Sequence, residues 1–259
     1  MVSAVADGGV RSVQIALDVL ETVAFSSEEL GVTQIADRLG LTKGSVHRHL
    51  HTLVDRGYLT QNPATTRYSV GPKSRLLARF APETDLVRIA DGPMRELRDR
   101  IGQSVVLSSI TSRGALVISA LPSSSPIEIG VRPGSELSFH SSAQGKVLLA
   151  FAQHPFQKRV LSQALQAFTN KTVVDPEILE SELALVRRQG FASAPEEAML
   201  GVNAIAAPIF DNTDAAVAAV AIVGSIQFLP ANPEEKVVSA LKNCTDQISR
   251  KLGHSRSQY

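Results

Sequence analysis

The chain has 259 residues, 44% of them hydrophobic, and its 26 Lys/Arg nearly balance its 25 Asp/Glu for a formal charge of +1. That length bounds one or two domains with a sizeable core. One cysteine, Cys244, excludes an internal disulfide. No apolar run approaches the ~20 residues of a membrane-spanning helix.

The apolar stretch at 13–24 is broken by Gln14, Asp18 and Glu21, so no signal peptide is read there. Together with the lone cysteine this sets the expectation of a cytoplasmic protein. Residues 12–25 read as an amphipathic helix with Val13, Leu17, Leu20 and Ala24 on one side.

Residues 33–57, TQIADRLGLTKGSVHRHLHTLVDRG, carry the pattern of a helix-turn-helix. Thr33 is the expected N-cap of the first helix, and Gly40 its left-handed end. Leu41 plugs the angle, and Thr42 caps the second helix. Val46, Leu50, Leu53 and Val54 then pack inward. The opposite face carries Lys43, Ser45, His47, Arg48, His51 and Thr52, side chains that reach phosphates and base edges. Residues 33–80 hold eight Lys/Arg against two Asp/Glu, whereas residues 81–259 hold 17 against 18. A basic head on a neutral body points to double-stranded DNA as a partner of the head.

A β-hairpin follows, with strands at 58–59 and 68–70 and a turn at 62–65. Placed after a recognition helix it is a wing, whose Thr65, Thr66 and Arg67 can touch flanking DNA. Gly71-Pro72 breaks the chain, and 73–80 reads as a linker helix ended by Pro82. Beyond it the pattern mixes α and β. Helices are expected at 86–101 (with Pro93 a candidate break), 142–152, 156–168, 176–189 and 233–252. Strands are expected at 104–110, 115–121, 127–131, 191–193, 204–210 and 216–223. This is an α+β domain around one antiparallel sheet.

Several segments together carry a resemblance: RSVQIALDVLE at 11–21, LTKGSVHRHLHTLVDRGYL at 41–59, RYSVGPK at 67–73, FHSSAQGKVLLA at 139–150, RRQGFASAPEEAMLGVNAIAAPIFD at 187–211 and VAAVAIVGS at 217–225. The chain resembles the IclR-type family of bacterial transcriptional regulators over nearly its whole length. The resemblance implies a winged helix-turn-helix DNA-binding domain (10–72), a linker helix (73–84) and a GAF-like effector-binding domain (85–255). It implies dimers, commonly paired into tetramers, on pseudo-palindromic operators, and a small organic acid as effector. Most such proteins repress. Ser45, His47, Arg48 and Thr52 match the family's recognition helix, while His49 departs from it and falls on the packing side. Phe139, Ala143 and Gln144 match the loop and helix start that close over the ligand. Ala194, Ala204, Ala221 and Val223 stand where relatives carry polar anchors, so their ligand identity does not carry over. Ser142 and the start of its helix supply donors for an acidic or polar end, and the apolar wall favours an aromatic body.

Competing chemistry is weak. His47 and His51 could share a metal, but no cysteine or carboxylate pair completes a site, so none is expected. Gly145-Lys146 lacks the earlier glycine of a phosphate loop and fits close helix packing instead. His140-Ser141-Ser142 lacks a nucleophile elbow. Glu196-Glu197 reads as a helix start complementing the dipole. The expectation is therefore a regulator, with no enzyme activity and no cofactor. A metabolite-binding enzyme with an accessory DNA-binding head is the alternative, and a purely architectural DNA binder a third reading.

Overall fold

The computed structural model describes residues 9–79, 86–124 and 129–255. The chain divides into two compact units, residues 1–83 and 84–259.

The first unit opens with helices α1 (Arg11–Ala24), α2 (Val32–Leu39) and α3 (Lys43–Asp55). A strand pair, β1 (Leu59–Gln61) with β2 (Tyr68–Val70), and helix α4 (Pro72–Arg79) complete it. Its core gathers Val19, Val23, Leu30, Ile35, Ala36, Val46, Leu50, Leu53, Leu59 and Tyr68. The inward stripe of α1 is Val19 and Val23; Val13 and Leu17, expected on the apolar side, are 53% and 50% exposed. Thr33 is not the cap of α2. The cap stands two residues earlier, at Gly31, whose N–H donates to Gln34 Oε1 at 3.0 Å. Gly40 ends it at φ 63°, where a side chain would strain the backbone. Thr42 caps α3 by accepting from the Ser45 N–H at 3.3 Å.

In the hairpin Leu59 pairs with Val70 and Gln61 with Tyr68 antiparallel, one residue later than expected on the first strand. Leu30 adds a bridge to Tyr68. Pro72 is no breaker: it is the first residue of α4, where a missing N–H costs nothing. Lys73 N–H donates to Gly57 O and Ser74 Oγ to Tyr58 O, docking α4 on the hairpin. Phe80 and Pro82 lie outside the described residues.

The second unit runs α5 (Leu86–Ile101), β3 (Ser104–Ile110), β4 (Ala115–Leu121), β5 (Glu136–Leu137), α6 (Ala143–Phe151), α7 (His154–Leu161), α8 (Pro176–Gln189), β6 (Ala192–Ser193), β7 (Val202–Phe210), β8 (Ala216–Ser225) and α9 (Glu235–Lys251). The sheet is antiparallel throughout, ordered β5-β4-β3-β8-β7-β6. Alternation along each strand divides its two faces. Ala218, Val220 and Ile222 pack with α5 and α9, whose Leu97, Leu241, Cys244 and Ile248 are buried there. Ala219, Ala221 and Val223 pack with α6 and α8, through Val147, Leu148, Leu179 and Leu183. Pro93 stays inside α5 without dividing it.

Two expected elements differ. The strand at 127–131 is absent where described: Ile129 and Val131 pack on the core in irregular backbone, and the edge strand is β5. The turn at Pro133-Gly134 intervenes, and pairing to Val117 begins with the Gly134 and Ser135 backbone. The helix expected at 156–168 is the shorter α7, which ends at Leu161 with Ser162 as its C-cap; beyond it the Gln166 carbonyl meets His140 Nε2 at 2.8 Å.

Candidate nucleic-acid interface and ligand site

Helix α3 shows water one polar face. Lys43, His47, Arg48, His51 and Thr52 are exposed, and Ser45 is half-buried beside the cap. His49 is half-buried toward the core side. Among the described residues no ion pair engages Lys43 or Arg48, so both keep their charge uncompensated. No group of three metal-ligating side chains includes His47 or His51 among those residues. Arg67 is exposed on the hairpin and donates from Nη1 to the Glu29 carbonyl at 3.0 Å.

In the second unit Phe139, Ala143, Ala194, Ala221 and Val223 fall in one buried cluster, with Ala204 packed against it. Ala204 pairs with Val223 and accepts from the Ala194 N–H at 3.0 Å. The expected wall residues are thus neighbours on one face of the sheet. Ser142 caps α6, accepting from Gly145 N–H at 3.0 Å while donating to Ser138 O at 2.7 Å. Its hydroxyl is therefore committed to the fold. A Cβ on Gly145 would run into the Ser138 carbonyl and Phe139, so glycine alone permits this close packing. Gln144 is 1% exposed, and its Nε2 has no partner among the described residues. Leaving such a donor buried is costly unless something meets it.

A buried charge cluster supports this helix. Lys146 is 1% exposed. Its Nζ donates to Glu197 Oε1 at 2.6 Å and lies 2.8 Å from Glu182 Oε2 as an ion pair. Glu197 is also buried, and burial pushes its carboxyl up, opposed by Lys146. Glu196-Glu197 does not start a helix: both stand in a turn, and Glu196 adopts φ 59° while its Oε1 accepts from Gly201 N–H. The dipole reading falls, because Glu197 turns inward to a lysine 51 residues away. Sequence reasoning passed over this cluster, although a signal existed. A helix apolar nearly all round is buried, so the lysine in AQGKVLLAF needs a carboxylate partner. Among the described residues His140 has no serine partner: Nε2 meets Gln166 O, the ring stacks on Phe168, and burial holds its pKa below the ordinary value.

Residues 78–250 match the family described as bacterial transcriptional regulator IclR C-terminal, and residues 12–63 match the IclR helix-turn-helix domain. The chain belongs to the IclR family. The HTH-type transcriptional regulator BhcR of Paracoccus denitrificans is 35% identical over 219 residues, covering 84% of this chain and 78% of that one. The glycerol operon regulatory protein of Streptomyces coelicolor is 32% identical over 95% of this chain and 98% of its own. A solved IclR homologue from Microbacterium hydrocarbonoxydans, complexed with 4-hydroxybenzoate, superposes with a TM-score of 0.77 at 25% identity, over 94% of this chain and all of its own. These IclR relatives are regulators rather than enzymes. The IclR helix-turn-helix domain implies DNA binding through the first unit. No helix among the described residues is long and apolar enough to cross a membrane.

Proposed function

We propose that this IclR-family protein represses a catabolic operon and releases it when an organic acid with an aromatic body binds the second unit. The unpartnered Gln144 amide carries this reading, since it is buried in the first turn of α6, whose Ala143 and Val147 pack in the cluster that holds Ala194, Ala221 and Val223. Ser142 Oγ and O satisfy the Gly145 and Lys146 N–H groups. Among the described residues the Ala143 and Gln144 N–H groups have no such acceptor, the arrangement that suits an anionic end. Burying a carboxylate against the wall elsewhere would cost several kcal/mol. The 4-hydroxybenzoate complex of the Microbacterium homologue agrees with an aromatic acid.

On DNA, Arg48 reads a base edge, Ser45, His47 and Thr52 line the groove, and Lys43 and Arg67 hold phosphates. A pseudo-palindrome needs two heads. The exposed Val13 and Leu17 of α1, with Leu76 and Leu77 of α4, are the surface we assign to head pairing, and second units would join dimers into tetramers. Effector control follows if the ligand favours one of two dimer states.

The test is a screen of thermal shift and operator release with 4-hydroxybenzoate and other aromatic acids beside glyoxylate and pyruvate. Aromatic acids alone should act, and Ala204→Asp should abolish the response while sparing DNA binding. A response confined to glyoxylate or pyruvate refutes the proposed pocket chemistry.

A further inference from the structure

Glu29 sits outside every segment so far given a function, in the loop between α1 and α2. It is half-buried, and it is tied to the hairpin at three points. Its Oε2 accepts from Asn62 Nδ2 at 3.1 Å and from Thr65 Oγ1 at 3.3 Å. Its backbone carbonyl accepts from Arg67 Nη1 at 3.0 Å. The next residue, Leu30, exchanges two backbone hydrogen bonds with Tyr68 at 3.1 and 2.8 Å.

The hairpin tip needs such support. Its strands are three residues long, and a two-stranded ribbon of that size is marginal alone. Thr66 is held at φ 56°, a left-handed conformation that a β-branched residue resists. Asn62 Oδ1 accepts from the Ala64 and Thr65 N–H groups, which shapes the turn. Its Nδ2 is then free to reach Glu29, so one asparagine links the turn to the loop. Arg67 spends one donor on a neutral carbonyl. It therefore keeps its charge and its remaining donors for something outside.

We propose that Glu29 is the positioning residue of the wing, holding the hairpin tip so that Arg67 meets a DNA phosphate. This rests on the assignment of Arg67 to a phosphate contact. The sign of the effect makes it testable. A carboxylate near DNA repels phosphates, so electrostatics alone predicts tighter binding when Glu29 is removed. Positioning predicts weaker binding.

The experiment uses the full chain and a duplex enriched from a random-sequence pool by the wild-type protein. Glu29→Ala, Glu29→Gln and Arg67→Ala are titrated against it across a salt series. Amide exchange at Asn62 and Thr66, whose N–H groups donate to Arg67 O and Asn62 O, is followed in the free proteins. Glu29→Ala should speed that exchange about tenfold and weaken binding about three- to tenfold, despite the lost negative charge. Glu29→Gln keeps one acceptor oxygen and should recover most of both. Arg67→Ala should lower the salt slope by ~1. Binding of Glu29→Ala as tight as wild type or tighter, with Arg67→Ala still weakened, overturns the positioning role. Wild-type affinity and slope for Arg67→Ala would instead remove the wing contact itself, and this inference with it.

Discussion

Lys43 opens a helix capped by Thr42, and Lys146 lies in the first turn of a helix capped by Ser142. The local signals are nearly the same: a hydroxyl cap, a glycine and a lysine within four residues. The surroundings are opposite. Lys43 is exposed and unpaired among the described residues, while Lys146 is 1% exposed between two glutamates. In the first unit the cation stays in water, available to a phosphate. In the second it is consumed by the fold. What separates them is the rest of the helix. AQGKVLLAF has no polar face to turn outward, whereas KGSVHRHLHTLVD has one.

The largest expected effect comes from breaking the buried side of this comparison. Lys146→Met keeps the length of the side chain and leaves Glu197 buried and unpaired. The second unit should lose ~3–5 kcal/mol, the range for removing one partner of a buried pair. Lys146→Met combined with Glu197→Gln should recover a large part. The loss should depend on pH. Burial already raises the Glu197 carboxyl, and without Lys146 opposing it the folded value rises further. A carboxyl whose folded value lies above its unfolded one destabilises in its charged form. The penalty is therefore small below the ordinary value of 4.5 and grows as pH rises above it. Urea melts of both variants at acid and neutral pH decide this, and a single variant as stable as wild type at neutral pH would refute the pairing as a structural element.

Arg48→Ala acts on the exposed side. A bidentate base contact contributes ~1–3 kcal/mol of discrimination, so binding should weaken and preference blur at one position of each half-site. The fold should not change, since Arg48 has no ion-pair partner among the described residues. Equal affinities of variant and wild type for the enriched duplex would take Arg48 out of the interface. Lys43→Ala should act more weakly and more evenly. It should reduce affinity for specific and scrambled duplexes alike and lower the salt slope by ~1.

The same contrast explains what was legible in the sequence. A cap, apolar spacing and turn residues are local signals: the Thr42 cap places α3, and the alternation of helical and strand pattern, with the turn at 112–114, places α8 and the β3–β4 hairpin closely. The cap of α2 was misplaced because Gly31 and Thr33 are both permissible N-caps, and the Gln34 side chain decides between them. Wall residues Ala194, Ala204, Ala221 and Val223 came from resemblance, and strand pairing brings them onto one face. The path of the Gln166 carbonyl and the inward turn of Glu197 depend on His140 and Lys146, partners distant in sequence. No local window contains them.

The smallest expected effect falls on Gly44, the second residue of α3. It is exposed, and a Cβ there would meet nothing within 4 Å. Its φ is not in the left-handed range, so the fold requires no glycine. Glycine in a helix is less favourable than alanine by ~0.5–1 kcal/mol, partly through the entropy of the unfolded chain. Gly44→Ala should therefore stabilise the free first unit by about that amount. A reason to keep glycine would come from outside the protein. A helix N-terminus suits a phosphate, and a bare backbone lets the DNA strand approach Lys43 and the cap closely. On that account Gly44→Ala raises the melting temperature yet weakens binding to every duplex. The two readouts move in opposite directions, so a general loss of structure cannot imitate them. Unchanged affinity in the stabilised variant would mean that the start of α3 stands clear of the DNA backbone, with only the long Lys43 side chain reaching it.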